Sequence, residues 1–218
     1  LTENLRNDVV HIAKSQVGYK ESGVNMNAYG RAMGNNGQAW CVYFVLWCFD
    51  QAGVKERPVS ANTCNNVTWF QKRGLWHNQQ PVVWKSGANQ CDGEVDADYI
   101  PQVGDIVAIE NDGAPSEGPD HTGIVVAVDD SWVYTVEGNI SNSVVERKYS
   151  RANGKLNGKS SSVHVNGYGS INYDNARSLQ EMTAASTAGK DTKTDRSATV
   201  ESKLSITTQP IDASVSEE

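Results

Sequence analysis

Clusters of basic residues and long apolar runs are both missing from this chain of 218 residues. It has 19 Lys and Arg against 26 Asp and Glu, a net charge of -7. Nucleic-acid surfaces gather Lys and Arg on one face, so no nucleic-acid partner is expected. The longest apolar stretch, 42–49, falls well short of the roughly 20 residues that cross a bilayer as a helix. No transmembrane segment is expected, and the protein reads as soluble. The chain also lacks an internal repeat, a P-loop and a dinucleotide fingerprint, which removes the nucleotide-dependent classes. No cofactor and no metal-ligand set are expected. Without an initiator Met or a charged-then-apolar leader, the sequence reads as a portion of something longer. Cysteine is scarce, at four residues. Cys41 and Cys48 lie about two helical turns apart, too far to bond within one helix, so Cys48 is expected to be a small buried apolar residue. Cys64 and Cys91 share the loop-rich middle and could pair in an oxidising compartment.

What is present divides into three regions. Residues 4–17 carry Leu5, Val9, Ile12, Ala13 and Val17 at helical spacing and end at Gly18. A polar, glycine-punctuated loop follows over 19–39, with one helical turn expected at 27–33. A second helix is predicted over 40–52, closed by Gly53, and a third over 63–73, closed by Gly74. Period-two patterning then takes over, predicting strands at 101–109, 122–128, 132–137, 144–149 and 162–168. Helices first and consecutive strands after them indicate an α+β fold, with helices packed on one side of a curved antiparallel sheet of five to six strands. From residue 174 the composition turns to Thr, Ser, Ala, Lys, Asp and Glu without aromatics. Such a segment reads as a flexible Ser/Thr-rich tail or linker, with a nascent helix at 177–182, that could join a downstream module. The domain boundary therefore falls at 173/174.

The chemistry centres on Cys41. It opens an apolar helix directly after the loop Gly34-Asn35-Asn36-Gly37-Gln38, whose composition provides turn and capping chemistry. Free backbone N–H groups and the helix dipole favour negative charge at that position, so the thiol is expected to act as a nucleophile. A thiolate needs a base, and the base needs an orienting group. His121 stands at the entry of the strand that begins Asp120-His121-Thr122-Gly123. One strand later, Val136-Glu137-Gly138-Asn139 ends in a carboxylate and an amide. Antiparallel pairing of the two strands would put Glu137 or Asn139 beside the imidazole.

The order Cys41, His121, Glu137, Asn139, with Trp40 before the cysteine, resembles the CHAP family of cysteine, histidine-dependent amidohydrolases and peptidases. Further pieces of the resemblance are Gln16-Val17-Gly18-Tyr19, Phe44-Val45, Ala52-Gly53, Gly104-Asp105-Ile106 and Gly167-Tyr168-Gly169, so it extends over about 4–173. It implies a papain-like, NlpC/P60-related fold that cleaves amide bonds in bacterial peptidoglycan, the expected substrate and partner. Carried over by position, Cys41 is the nucleophile, His121 the general base and acid, Glu137 the orienting group and Asn139 a polar fourth member. Gln38 and Trp40 are expected near the substrate or the oxyanion. Activity on the cell wall implies a secreted or bacterial cell-surface location. The rival reading is a catalytically silent module on the same fold that binds wall peptide or a protein. Neither composition nor motif chooses between N-acetylmuramoyl-L-alanine amidase and stem or cross-bridge endopeptidase.

Other features are expected to be structural. His11, His77 and His164 lack a partner motif. The acidic loop of Asp92, Glu94, Asp96 and Asp98 lacks the glycine and distal glutamate of an EF-hand and reads as solvated. Trp69, Trp76, Trp84 and Trp132 read as core or half-buried packing rather than a substrate groove.

Overall fold

The computed structural model describes residues 4–159 and 161–174. The tail beyond 174, with its expected helix at 177–182, lies outside the described residues.

Four helices come first, and local sequence sets their ends. Helix α1 (Leu5–Ser15) starts at Asn4, whose side chain accepts from the Asn7 N–H at 3.2 Å. Its last turn closes through the Gln16 N–H, two residues before the periodicity runs out. The expected turn is α2 (Ala28–Ala32), capped by the Asn27 side chain on the Gly30 N–H at 2.7 Å. Helix α3 (Cys41–Ala52) is buried along most of its length and stops at Gly53, whose φ of 81° is the left-handed conformation that glycine adopts without strain. Helix α4 (Thr63–Gln71) is capped by Asn62 and ends two residues short of the predicted boundary.

The strands are β1 (Trp76–Asn78), β2 (Trp84–Ser86), β3 (Asn89–Cys91), β4 (Ile106–Glu110), β5 (His121–Val128), β6 (Trp132–Ile140), β7 (Ser143–Ser150) and β8 (His164–Gly169). Six form one antiparallel sheet in the order β1-β8-β4-β5-β6-β7, and β2 pairs with β3 in a separate hairpin. The fold is thus α+β, as read from the sequence, with strands added. The first three strands have three residues each, too few for an alternating pattern to register. Strand β1 exists because β8, far along the chain, pairs with it (Trp76 opposite Gly169, Asn78 opposite Gly167). In the other direction, 101–105 is a turn rather than the start of a strand: the Asp105 side chain accepts from the Gln102 N–H at 2.7 Å, and the Gly104 N–H reaches Val125 O at 2.7 Å.

Alternation along β4, β5 and β6 divides the core between the two faces of the sheet. Ile106, Ile124, Val126 and Val136 meet α1 and α3 through Val9, Ala13, Phe44, Val45, Cys48 and Phe49. On the other face Val107, Val125, Val133, Tyr149 and Tyr168 pack together beneath Tyr99 and Leu156. Each such buried side chain contributes about 1.5–3 kcal/mol. Gly138 lets α3 lie directly on β6, because a Cβ there would fall 2.6 Å from Phe44 Cβ and 2.8 Å from Trp40 Cζ3. The start of α3 is thereby fixed against the strand that carries Glu137.

All four cysteines are free thiols, and all are buried. The suggested Cys64–Cys91 bond is not formed, although both residues pack with Val67, Trp84 and Ala108 in one apolar cluster. Trp84 is core, while Trp69 and Trp132 are half-buried under cationic side chains, Arg73 at 3.9 Å and Lys148 at 4.2 Å.

Candidate active site

Cys41 occupies the first position of α3 with 7% of its surface exposed. The residue before it, Trp40, makes no side-chain capping bond, so no side chain occupies the N-terminal N–H groups of the helix. The loop that delivers the helix is fastened elsewhere: Asn36 Oδ1 accepts from the Asn27 N–H at 2.9 Å, and Asn35 Nδ2 donates to the Tyr43 hydroxyl.

His121 begins β5 and is buried, with Nε2 3.0 Å from Glu137 Oε2. Cys41 also acts on the ring, through a hydrogen bond to the imidazole and through its charge, so the thiol stands in the neighbourhood of His121. Burial disfavours the imidazolium, but the hydrogen bonds and charges of Cys41 and Glu137 outweigh it and push His121 up to about 10. The ring is therefore held protonated at neutral pH, opposite the thiol.

Glu137 is fully buried, and its carboxylate accepts four hydrogen bonds. Oε1 takes the hydroxyl protons of Thr135 at 2.6 Å and Tyr149 at 3.0 Å; Oε2 takes His121 and Arg147 Nη1 at 3.2 Å. Burial alone would raise its pKa, but His121, Arg147 and Thr135 together hold it below the usual glutamate value. Sequence reasoning missed Thr135, Arg147 and Tyr149. The available signal was period two: Thr135 shares a face of β6 with Glu137, Arg147 shares a face of β7 with Tyr149, and Thr135 stands opposite Arg147. Gly123 was quoted only as part of a motif, and the structure gives it a reason. It faces the Glu137 strand, and a Cβ there would lie 2.6 Å from Glu137 Cγ.

The remaining expected site residues fare differently. Asn139 stands at a register shift of β6 with φ 63°, half-buried and without a hydrogen bond to His121; of the two residues, Glu137 is the one that meets the imidazole. Gln38 is exposed in the loop before Cys41. The Trp40 side chain has no exposed surface to offer a substrate. Its indole N–H donates to Glu21 Oε2 at 2.7 Å and its ring stacks on Tyr29 at 5.5 Å, which makes it an anchor for the helix start.

Of the other histidines, His77 does have partners: Asp96 Oδ2 at 2.8 Å on Nδ1, Ser170 Oγ at 3.1 Å on Nε2, and the Tyr99 ring stacked 3.4 Å away. The Ser170 hydroxyl donates its one proton to Leu75 O at 3.3 Å, so the group clamps β1 to the end of β8 rather than preparing a nucleophile.

Residues 33–139 match the family model of the CHAP domain. The chain carries a CHAP domain. The matched segment contains Cys41, His121, Glu137 and Asn139, and ends with the strand that closes the site. No curated protein and no solved structure matches the chain. The CHAP domain marks a family of amidases and peptidases directed at peptidoglycan. No helix among the described residues is long and apolar enough to cross a membrane.

Proposed function

We propose that this CHAP domain hydrolyses an amide bond in bacterial peptidoglycan by cysteine nucleophilic catalysis, cutting either the N-acetylmuramoyl-L-alanine amide or a peptide bond of the stem or cross-bridge. The observation that carries this reading is the buried His121–Glu137 hydrogen bond, with Cys41 acting on the same imidazole from the open N-terminus of α3. The Cys41 sulfur attacks the carbonyl while His121 stands protonated beside it. The oxyanion that forms meets the Cys41 N–H and the positive end of the helix, with the Gln38 amide as a second donor; one such donor is worth about 10² to 10³ in rate. His121 then gives its proton to the leaving amine, and in the second half of the reaction takes one from the water that cleaves the thioester. Glu137 keeps the ring in position and supports its charge throughout. A substrate outside the cytoplasmic membrane places the enzyme in the secreted or cell-surface compartment, where the tail would link it to a downstream module or a wall-associated partner.

Digestion of purified peptidoglycan by the wild-type protein and by Cys41→Ala, with mass analysis of the products, tests this reading. Fragments released by the wild type alone are expected, and their new end groups distinguish amidase from endopeptidase. Release by neither protein, with both sedimenting with the sacculus, would replace the reading with a binding module.

A further inference from the structure

The loop between β4 and β5 gathers three carboxylates. One oxygen each from Glu110, Asp112 and Asp120 lies within 4.8 Å of those of the other two, the spread expected of oxygens that share one ion at 2.3–2.6 Å. Among the described residues, none of the three is in a salt bridge with Lys, Arg or His. Backbone groups hold all three in place. The Gly113 and Ala114 N–H groups bond Glu110 Oε1 at 2.6 and 2.9 Å, the Ala114 N–H also bonds Asp112 Oδ1 at 2.8 Å, and the Asn111 N–H bonds Asp120 Oδ1 at 2.7 Å.

An acidic surface cluster would be unremarkable if all its members were solvated. Glu110 is not. Its side chain is completely buried, yet Oε2 has no hydrogen-bond partner. A buried carboxylate oxygen without a donor is costly, and the neighbouring Asp112 and Asp120 carboxylates further disfavour the charge on Glu110. A hard cation resolves both problems, because it supplies the missing partner of the buried oxygen and neutralises the repulsion. All-oxygen donors on an irregular loop suit Ca²⁺, which accepts variable geometry and completes its shell with water; Mg²⁺ requires a near-ideal octahedron.

We propose that Glu110, Asp112 and Asp120 form a Ca²⁺ site. The site is continuous with the active centre. Asp120 precedes His121, and Asn111, between two of the ligands, accepts from Arg147 Nη1 at 3.3 Å, the same guanidinium nitrogen that bonds Glu137. Bound Ca²⁺ fixes the loop that supports Arg147 and leads into His121, so it steadies the residues that orient the imidazole.

Calorimetry and thermal melting of the chelator-treated protein, titrated with Ca²⁺ and separately with Mg²⁺, test the proposal without recourse to activity. One Ca²⁺ per chain is expected, in the range of about 10⁻⁵ to 10⁻³ M, with a rise in Tm and at least tenfold weaker binding of Mg²⁺. Asp112→Asn and Asp120→Asn, both at exposed positions where folding is retained, are expected to weaken Ca²⁺ at least tenfold. Glu110→Gln is expected to abolish the Ca²⁺-dependent rise in Tm. No heat and no melting shift at millimolar Ca²⁺, or wild-type affinity in both aspartate variants, would overturn the proposal. Either result leaves the Cys41 chemistry untouched.

Discussion

Glu137→Gln is nearly isosteric, and it tests whether a buried negative charge, rather than a hydrogen-bond acceptor, organises the site. The amide would keep one oxygen for His121 and Arg147, while its NH₂ would turn toward Thr135 and Tyr149, whose hydroxyls can rotate to accept. Every distance on the Oε2 side, 3.0 Å to His121 and 3.2 Å to Arg147, can therefore survive. What disappears is the charge. At an effective dielectric near 20, a pair of unit charges 3 Å apart interacts by about 5 kcal/mol before desolvation is counted. Removing one partner of a buried pair costs about 3–5 kcal/mol of stability, and at a few degrees per kcal/mol a Tm lower by about 10 °C is expected. His121 loses one of the two groups that hold it near 10, so its titration moves toward the ordinary histidine value. The expected readouts are a Tm drop, an NMR titration of His121 displaced downward by at least one unit, and a fall of about 10² to 10⁴ in kcat on peptidoglycan. The first two do not depend on the substrate being right. A folded Glu137→Gln protein whose His121 titrates as in the wild type would refute the reasoning.

Three further outcomes follow from the same geometry. Tyr149→Phe removes one neutral donor from Glu137 Oε1 and leaves Thr135 in place, so kcat should fall by only about 3- to 30-fold, with a stability loss of about 1–2 kcal/mol in urea melts. Gly138→Ala forces a Cβ against Phe44 and Trp40; either α3 moves off β6 or the protein unfolds, and a soluble variant of wild-type Tm and activity would contradict that contact. Asp105 is buried, and desolvation pushes it up to about 6 from 3.8 against the opposing bonds from Tyr99 and Gln102. The folded state therefore binds this proton more tightly than the unfolded chain, and the stability it contributes is present below about pH 4 and declines as pH rises to about 6. About 3 kcal/mol is at stake. Chemical melts from pH 4 to 7.5 should show that slope in the wild type and its loss in Asp105→Asn; equal slopes would count against it.

Legible along the chain were the helix that opens with Cys41, the strand that opens with His121 and the strand that carries Glu137. Their signals are local: apolar residues at helical spacing up to a terminal glycine, alternation over eight or nine residues, and a single turn joining β5 to β6 that places Glu137 beside the imidazole. The rest depends on contacts between segments far apart in the chain. Strand β1 is defined by its pairing with β8. Trp40 stands next to Cys41 yet its side chain lies in the core, because Glu21 and, from α2, Tyr29 meet it there. The four donors on Glu137 converge only once β6 and β7 are in register, and Glu110, Asp112 and Asp120 meet only when the β4–β5 loop folds back on itself. A periodic pattern reports which face of an element is buried; it carries no record of which buried groups end up facing one another.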